Sequence, residues 1–400
     1  MHIDRIEARQ IIDTRKRPTV ETTIYSGDIR ATASVPSGKS TGSHEACELR
    51  DADGSVATAV KNVNEEIAKN IAGQYFDSLN ELDKALISLD GTPNKSRLGA
   101  NAILSVSIAA MRLYALQENT PLWKAISKRA RTTPSAPRLY VNVMNGGVHA
   151  NFRLPFQEYL LVVEGKTSTA LPLAQGTFTR LGKFLGASPL THEPMGDEGG
   201  YAPTLNELEK PFEILSSVIA KNPNMTISID AAASELFNNG SYNLIGKSYS
   251  PEEFARLYET LASKFSFHSI EDPFAENAPD DFARLTASVG EKVLVIGDDL
   301  TVTSSARIKD AAARKEINAV LIKPNQIGTV REAIEAVQET HSLGFKSIVS
   351  HRSGETMDTF IADFAYGVGA HGIKAGGFGQ RERLVKYERL LAIEHEAEAL

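Results

Sequence analysis

Six short apolar runs in the second half of the chain each end on a polar or charged side chain. The residues at their ends are Asp230, Glu271, Asp298, Lys323, His351 and Lys374. Segments with helical periodicity, such as residues 251–264 and 330–343, separate the runs. Short apolar strands that alternate with helices indicate βα units on a parallel sheet, because helices then cover both faces of the sheet. No other feature of this chain constrains its fold as strongly.

Two architectures arrange βα units on a parallel sheet: a closed β/α barrel and an open doubly wound sheet. In a barrel the functional side chains stand at the carboxyl ends of the strands, which is where the polar residues of the six runs lie. The open sheet is disfavoured because no Gly-x-Gly-x-x-Gly turn follows any of these runs. The pattern therefore favours the barrel, with the open sheet as the alternative.

The first part of the chain has a different pattern. Three segments read as strands and three as helices: 3–12, 19–25, 29–35, 57–71, 79–89 and 99–117. Residues 129–137 form a basic stretch rich in Pro, Thr and Ser, which is typical of a domain boundary. We therefore predict a smaller α+β domain over residues 1–130 and a barrel domain over residues 138–400.

Composition excludes several classes of protein. The net charge of −7 and the pI near 5.8 argue against nucleic acid as a partner, because binding to phosphates needs a basic face. Cys47 is the only cysteine, so the chain holds no internal disulfide and no cysteine-based metal cage. No apolar run approaches the roughly 20 residues that a membrane span requires, and the N-terminus is charged too early for a signal peptide. We expect a cytoplasmic protein with no membrane partner.

The strand-end residues suit metal-assisted proton abstraction. If the units close into a barrel, the carboxylates Asp230, Glu271 and Asp298 converge, and hard oxygen ligands of this kind suit Mg²⁺. Lys323 and Lys374 would then stand beside a dication, which favours a neutral amine that can act as a general base. A single strand-end Asp or Lys is usually a cap or a solvated loop residue. Six at barrel spacing favour a functional site.

Eight segments resemble the enolase family, in the family's own order. They are Val35-Pro-Ser-Gly-Lys-Ser-Thr-Gly-Ser-His-Glu-Ala46, residues 88–103, Asn145-Gly-Gly-Val-His149, Gly196-Asp-Glu-Gly-Gly200, Ser269-Ile-Glu-Asp-Pro-Phe-Ala-Glu276, residues 298–303, residues 325–329 and residues 349–356. The resemblance implies an eight-stranded β/α (TIM-like) barrel after a smaller α+β N-terminal domain, with an antiparallel strand among the first barrel strands. It also implies phosphopyruvate hydratase activity, the reversible dehydration of 2-phospho-D-glycerate to phosphoenolpyruvate.

The resemblance also implies the residues that hold the metal and move protons. Asp230, Glu271 and Asp298 match the ligands of a first Mg²⁺, and Ser40 matches the residue that holds a second Mg²⁺, which arrives with substrate. Lys323 matches the base, and Lys374 matches a second lysine that contacts the substrate carboxylate. Glu198 matches the general acid, and Glu158 matches its carboxylate neighbour.

Further matches concern substrate binding and assembly. Arg352 and Ser353 match the phosphate-binding residues, with His351 beside them, and His149 matches a loop histidine that closes over the substrate. A homodimer or higher homo-oligomer is expected. We interpret His44 and Glu45 as the start of a helix. Although Ser37-Gly-Lys-Ser-Thr-Gly42 looks like a phosphate cradle, it lacks the first glycine at P-loop spacing, so nucleotide binding is rejected.

Four segments depart from the family pattern without removing a matched site residue. They are Asp13-Thr-Arg-Lys-Arg-Pro-Thr19, the shortened segment after Asp51, the loop after His149 and the Ala-Gly-Gly-Phe-Gly-Gln-Arg run after Lys374. A retained core with altered loops is how a paralogue shifts specificity. The alternative function is therefore an enolase-like enzyme of specialised metabolism, similar to carboxyphosphonoenolpyruvate synthase. A third hypothesis, a binding protein that has lost catalysis, is disfavoured because no matched base, acid or ligand is missing.

Overall fold

The computed structural model describes residues 1–39, 42–186 and 195–399. The N-terminal part contains an antiparallel three-stranded meander, formed by β1 (Arg5–Ile12), β2 (Pro18–Ser26) and β3 (Ile29–Ser34). A two-residue strand pair, His2–Ile3 with Gln74–Tyr75, lies beside it. The Asn64 side chain covers the free edge of β1, where its amide bonds both the N–H and the carbonyl of Ala8 at 2.7 and 3.0 Å.

Helices complete the N-terminal part. One continuous helical stretch consists of Ala57–Lys61, a π-helical middle at Asn62–Ile67, and Ala68–Ile71. It is followed by α1 (Leu79–Asp90), α2 (Ala100–Gln117) and α3 (Leu122–Ala130). Ser78 caps α1 by accepting from the Glu81 N–H at 3.3 Å. The three strands of the meander, the helical stretch, α1 and α2 lie within two residues of the predicted bounds, whereas α3 was not predicted.

Eight strands close into a barrel, which confirms the predicted fold class and excludes the open sheet. In chain order they are β4 (Arg138–Asn145), β5 (Glu158–Val163), β6 (Met225–Asp230), β7 (Phe267–Glu271), β8 (Leu294–Gly297), β9 (Ala319–Ile322), β10 (Lys346–Ser350) and β11 (Gly372–Lys374). The order around the barrel follows the chain, with β11 beside β4. Neighbours are parallel except that β5 is antiparallel to both β4 and β6.

The helices of the barrel domain surround the strands. They are α4 (Thr167–Phe184), α5 (Lys210–Ile219), α6 (Pro251–Phe265), α7 (Pro279–Val289), α8 (Ser305–Ala313), α9 (Val330–Ser342), α10 (Phe360–Gly367) and α11 (Arg381–Glu398). Short helical turns occur at Gly147–Ala150, Ala233–Leu236 and Pro324–Ile327, and a small sheet joins Phe237–Asn238, Ser241–Leu244 and Lys247–Tyr249. Among the residues that the structure describes, every helix is too short or too polar to span a lipid bilayer.

Two apolar cores pack against the strands of the barrel. A small cluster fills its interior, with Tyr140, Leu160, Ile296, Leu321 and Ile348 packed together and almost without solvent contact. A much larger core lies between the strands and the surrounding helices and continues into the N-terminal part. Side chains alternate between these two cores along the strands, and the charged side chains gather at the strand ends.

The N-terminal part is fixed to the barrel by partly buried polar contacts. Arg112 on α2 forms a two-pronged ion pair with Asp358 at 2.6 and 2.7 Å, and Asp358 also accepts from the Ser34 N–H at 3.0 Å. The backbones of Ser37 and Gly354 pair with each other just beyond these contacts. The loop that follows β3 is therefore held against the carboxyl end of the barrel.

Candidate active site

The structure brings the predicted site residues to one rim. Asp230, Glu271 and Lys374 are the last residues of β6, β7 and β11, and Asp298, Lys323 and His351 directly follow β8, β9 and β10. Glu158 begins β5, and because β5 is antiparallel its first residue lies at the same end as the last residues of its neighbours. Strand pairing places Glu158 opposite Asp230, and Asp230 opposite Glu271.

Lys374 lies among three carboxylates. Its Nζ is 3.1 Å from Glu158, 3.3 Å from Asp230 and 2.8 Å from Glu271. All four side chains are buried. Buried like charges repel strongly, so the ammonium group stabilises a cluster of acids that would otherwise not ionise together.

Lys323 forms the neighbouring ion pair with Asp298. Its Nζ donates to Asp298 Oδ2, and Asp298 Oδ1 accepts from the Gln326 amide at 2.8 Å. The backbone of this segment is fixed by Asp272, whose carboxylate accepts from the N–H groups of Asp298 and Asp299 at 2.9 and 3.0 Å. The base candidate and one ligand candidate are thus held in direct contact.

These carboxylates keep both lysines protonated. Burial lowers the pKa of Lys374, but the three surrounding carboxylates outweigh it and raise that pKa well above its ordinary value. Burial likewise lowers the pKa of Lys323, and Asp298 raises it to a net value above the ordinary one. A divalent cation on the same carboxylates would withdraw their charge from the ammonium groups, which is the condition for the neutral lysine that the sequence analysis expects.

The donor set fits a hard divalent cation. Carboxylate oxygens of Asp230, Glu271 and Asp298 surround positions now filled by lysine ammonium groups, so the site already attracts positive charge. Asp298 also belongs to a group with Asp272 and Asp299 whose oxygens all lie within 4.8 Å of one another. Ser40, the predicted ligand of a second ion, lies outside the described residues.

A second acidic group consists of Glu158, Glu198 and His149. His149 Nδ1 is 3.9 Å from Glu158 and 3.6 Å from Glu198, and all three side chains are buried. Burial, and then the charge of Glu198, raises the pKa of Glu158 well above its ordinary value. Burial also raises the pKa of Glu198, but His351 and His149 outweigh it and leave that pKa low. The pair therefore shares one proton, with the higher affinity at Glu158.

The predicted anion-binding residues are preorganised. Arg352 donates to both carboxylate oxygens of Glu45 at 2.9 and 3.1 Å and to the Asn325 side chain at 3.0 Å. The prediction that Glu45 begins a helix is wrong, because residues 43–45 form a turn and the next helical stretch starts only at Ala57. The segment around His44 and Glu45 shows no helical periodicity. The Glu45 carboxylate instead orients Arg352. The buried Ser353 hydroxyl has no hydrogen-bond partner among the described residues.

Unsatisfied polar atoms concentrate in this region. Within the described parts of the chain, Gln157 Oε1, Glu158 Oε2 and both nitrogens of His149 are buried without a hydrogen-bond partner, as is Ser353 Oγ. Buried polar atoms normally have partners, because an unpaired one costs free energy. Several such atoms around one cavity indicate a site built for a polar ligand.

The cavity is also lined by residues that the sequence analysis missed. Gln157 bonds Asp230 at 3.3 Å, and Lys39 reaches in from the loop after β3. Asn142 lies beside it and donates to Glu198 at 3.1 Å. Lys39 and Gln326 lie inside segments that resemble the family, and Gln157 directly precedes Glu158. Their nearness to these motifs could therefore have identified all three as site residues. Asn142 carried no sequence signal, because an asparagine inside an apolar strand is usually structural.

The altered segment after Lys374 supports the loop that carries Glu198. The Gly377 N–H donates to the Glu198 carbonyl at 2.8 Å, and the Gly379 N–H donates to the Gly199 carbonyl at 3.0 Å. A Cβ at Gly377 would lie 2.3 Å from the Gly199 carbonyl oxygen, so only glycine permits this approach. The departure from the family pattern is therefore compatible with a well-packed site.

A β/α barrel with acidic clusters, two lysines and a paired acid at its carboxyl rim defines a metal-binding acid–base enzyme. The comparisons with known families agree with this class. Residues 3–126 match the family model of the enolase N-terminal domain, and residues 134–399 match that of the enolase C-terminal TIM barrel domain. The chain therefore belongs to the enolase family, and family and acidic clusters together make it a metal-binding lyase.

Proposed function

We propose that the protein catalyses the magnesium-dependent, reversible dehydration of 2-phospho-D-glycerate to phosphoenolpyruvate. The observation that carries this proposal is that a base candidate, an acid pair and an anion-binding arginine line one cavity. These residues are Lys323, Glu158, Glu198 and Arg352. Elimination of water from a phosphorylated hydroxy acid requires these three functions together, because a carbon-bound proton and a hydroxyl group must leave the same molecule.

Lys323 is the proposed base. In its neutral form, Nζ removes the proton from the carbon beside the substrate carboxylate. Lys374 contacts that carboxylate, and its positive charge disfavours a second ammonium group nearby. Asp298 holds Lys323 in place through the contact between its Oδ2 and Nζ. A fixed lysine loses little entropy when it meets the substrate.

Asp230, Glu271 and Asp298 would hold the first Mg²⁺, and Ser40 would contribute to the second, which arrives with substrate. When bound, the ions supply positive charge that stabilises the negative charge developing on the substrate carboxylate. The three carboxylates would orient the substrate, because they fix the position of the positive charge that its carboxylate meets.

The Glu158–Glu198 pair is the proposed acid. Glu158 holds the shared proton, because its pKa is raised by burial and by Glu198, and passes it to Glu198, which delivers it to the departing hydroxyl group. His149 closes over this pair, and the ring lies within 4 Å of both carboxylates. Arg352 and Ser353 bind the phosphate, which requires Arg352 to share its donors with Glu45.

The test is phosphoenolpyruvate formation from 2-phosphoglycerate, followed by ultraviolet absorbance with Mg²⁺ and with EDTA. We expect turnover that depends on Mg²⁺ and returns when the ion is restored. Absence of turnover from a protein whose circular dichroism shows it to be folded would contradict the proposal. The reverse reaction, hydration of phosphoenolpyruvate, is an independent check.

The second candidate is an enolase-like enzyme acting on a related phospho- or phosphono-carboxylic acid. The observation that favours it is that the altered run after Lys374 contacts the loop of Glu198, where the Gly377 N–H donates to the Glu198 carbonyl at 2.8 Å. A cation at the cavity entrance also contacts this loop. Lys39 lines the cavity, and its Nζ donates to Asp197 at 2.7 Å and to the Val148 carbonyl at 3.0 Å. This cation at the entrance ties together the loops of Ser37, His149 and Glu198, where substrate choice is decided. Turnover of a phosphonate analogue in preference to 2-phosphoglycerate would select this candidate.

By the same resemblance, we propose a homodimer that performs this step of glycolysis in the cytoplasm. Lys16 and Arg17 replace a Gly-Asn turn of the family in a segment near the expected subunit contact. Sedimentation equilibrium across a range of protein concentrations would give the oligomeric state. A monomer at micromolar concentration would contradict the proposed dimer.

A further inference from the structure

Arg383, near the start of α11, is the bulkiest side chain in the described structure that is fully shielded from solvent. Its guanidinium group donates to three backbone carbonyls, those of Asp197 at 3.0 Å, Arg352 at 3.0 Å and Ser353 at 2.9 Å. It also donates to Nδ1 of His351 and, through Nε, to Gln380 Oε1 at 2.9 Å. One side chain thereby joins the loop of Glu198 to the loop of His351, Arg352 and Ser353.

No carboxylate pairs with Arg383 among the described residues, and its partners are carbonyls, an amide and an imidazole ring. A buried cation without an anionic partner is costly, so a need for the guanidinium at this position must offset that cost. The Arg383 side chain also needs a glycine at position 376 to make room for it. A Cβ at Gly376 would lie 2.1 Å from Cδ of Arg383, and Gly376 adopts a positive φ of 85°.

The contact with His351 fixes how that ring carries its proton. A guanidinium group only donates, so Nδ1 of His351 must accept. Burial lowers the pKa of His351 to about 4, so the ring is neutral near pH 7. A neutral ring that accepts at Nδ1 carries its hydrogen on Nε2. Nε2 lies 3.5 Å from Glu198 Oε2, a separation that shortens readily when an active site closes.

We infer that Arg383 is a positioning residue that holds His351 in the Nε2–H tautomer, aimed at Oε2 of Glu198. Oε2 also accepts from the Asn142 amide at 3.1 Å, whereas His351 Nε2, at 3.5 Å, makes no hydrogen bond to any described residue. The Asn142 bond and the approach of Nε2 favour a Glu198 proton on Oε1, the oxygen that lies 3.6 Å from His149 Nδ1. The role of Glu198 as acid rests on the proposed function, whereas the tautomer of His351 does not.

The first test is the tautomer itself, measured by ¹⁵N nuclear magnetic resonance of the histidine rings in the full chain without substrate. A His351→Gln variant assigns the signal. We expect a protonated Nε2 and an unprotonated Nδ1 at pH 7. A protonated Nδ1 would overturn the inference, and this measurement holds whichever substrate the enzyme uses.

The second test compares Arg383→Met with Arg383→Lys by kcat, KM and the ring spectrum. Arg383→Met removes the donor, so we expect mixed tautomers and a kcat that falls about 10²-fold, because a misdirected group is enough to cost that much. Arg383→Lys retains one donor and should restore the Nε2–H tautomer and part of kcat. Mixed tautomers with an unchanged kcat would overturn the positioning role.

Arg389→Lys is the matched control. Arg389 is on the same helix and bonds Asp363 at 2.6 and 2.9 Å, away from the rim. We expect this variant to leave kcat and the His351 spectrum unchanged. If Arg383→Met does not fold, the tautomer in the wild-type chain decides. If the wild-type chain does not turn over 2-phosphoglycerate, the proposed function fails while the tautomer result stands.

Discussion

Lys374 Nζ lies 2.8 Å from one carboxylate oxygen of Glu271 and 2.9 Å from the other. The ammonium group therefore occupies the position in which a metal ion bound by this carboxylate would lie. Asp230 and Glu158 also face this nitrogen, so one ammonium group pairs with three acids. Metal binding and the charge of Lys374 must therefore be coupled.

The first prediction concerns Lys374→Met. Without the ammonium group the three buried carboxylates repel each other, so we expect the free energy of unfolding in EDTA to fall by about 3–5 kcal/mol. Mg²⁺ should recover much of this loss, because it binds the folded state alone. Urea unfolding in EDTA and in Mg²⁺ measures both effects. Lys166→Met, at an exposed ion pair with Glu398, is the control, and equal losses with and without Mg²⁺ would disprove the coupling.

The second prediction is that Lys323→Ala abolishes turnover while leaving Mg²⁺ binding largely intact. Loss of a general base lowers kcat by about 10²–10⁴-fold. Asp298 keeps its hydrogen bond from Gln326 at 2.8 Å, so its position as a ligand is retained. Kinetics and Mg²⁺ titration calorimetry are the measurements, and the exposed Lys309, which pairs with Glu339, is the control as Lys309→Ala. Retained turnover would refute Lys323 as the base.

The third prediction concerns Arg352→Lys. A lysine cannot reproduce the two-pronged bond to Glu45 or an equivalent fork around a phosphate. Because bonds to charged groups contribute about 1.5–3 kcal/mol, we expect KM to rise roughly 10–100-fold. Competitive inhibition by inorganic phosphate should weaken in parallel. A change in kcat alone, with phosphate inhibition unaltered, would show that Arg352 does not bind the phosphate.

The fourth prediction is a pH dependence of stability at Asp83, which joins α1 to the barrel. Asp83 is fully buried, and its carboxylate accepts from the Arg331 N–H at 2.9 Å. Burial raises the pKa of Asp83 to about 7. Between pH 4 and 7 the folded state thus holds a proton that the unfolded state has lost, so stability falls as pH rises.

Asp83→Asn removes this titration. We expect it to match the wild type near pH 4 and to be more stable by on the order of a few kcal/mol at pH 8, because one pKa unit corresponds to 1.36 kcal/mol. Urea unfolding at several pH values gives the difference. A constant difference between the two proteins from pH 4 to pH 8 would show that Asp83 does not titrate in this range.

Much of the barrel could be predicted from the sequence. The polar residues that end β6 to β11 mark strands because a buried parallel strand meets solvent only at its end. Two strands, β4 and β5, were invisible to that pattern. β5 runs in the opposite direction, so its rim residue, Glu158, begins the strand instead of ending it. Only resemblance to the enolase family implied an antiparallel strand.

Less of the site than of the barrel could be predicted from the sequence. The sequence predicts Arg352 as a phosphate-binding residue and Glu45 as the start of a helix. In the structure the two residues form an ion pair, although 307 positions of chain separate them. Arg383 gave no signal at all, because a buried arginine looks like a surface arginine until its neighbours are known. Local periodicity reports which face of an element is buried, and it carries no information about which distant side chain it meets.

The sequence by itself determined the order of βα units, the chemical types at the rim and the family of the chain. These properties depend on residue type and spacing, which are local. The tertiary structure alone decided that Lys374 pairs with three carboxylates, that Glu158 is the more basic member of its pair, and that Arg383 orients His351. Those relationships depend on burial and on distances between strands and loops far apart in the chain, because electrostatic energies in a protein interior are set by neighbours that only folding brings together.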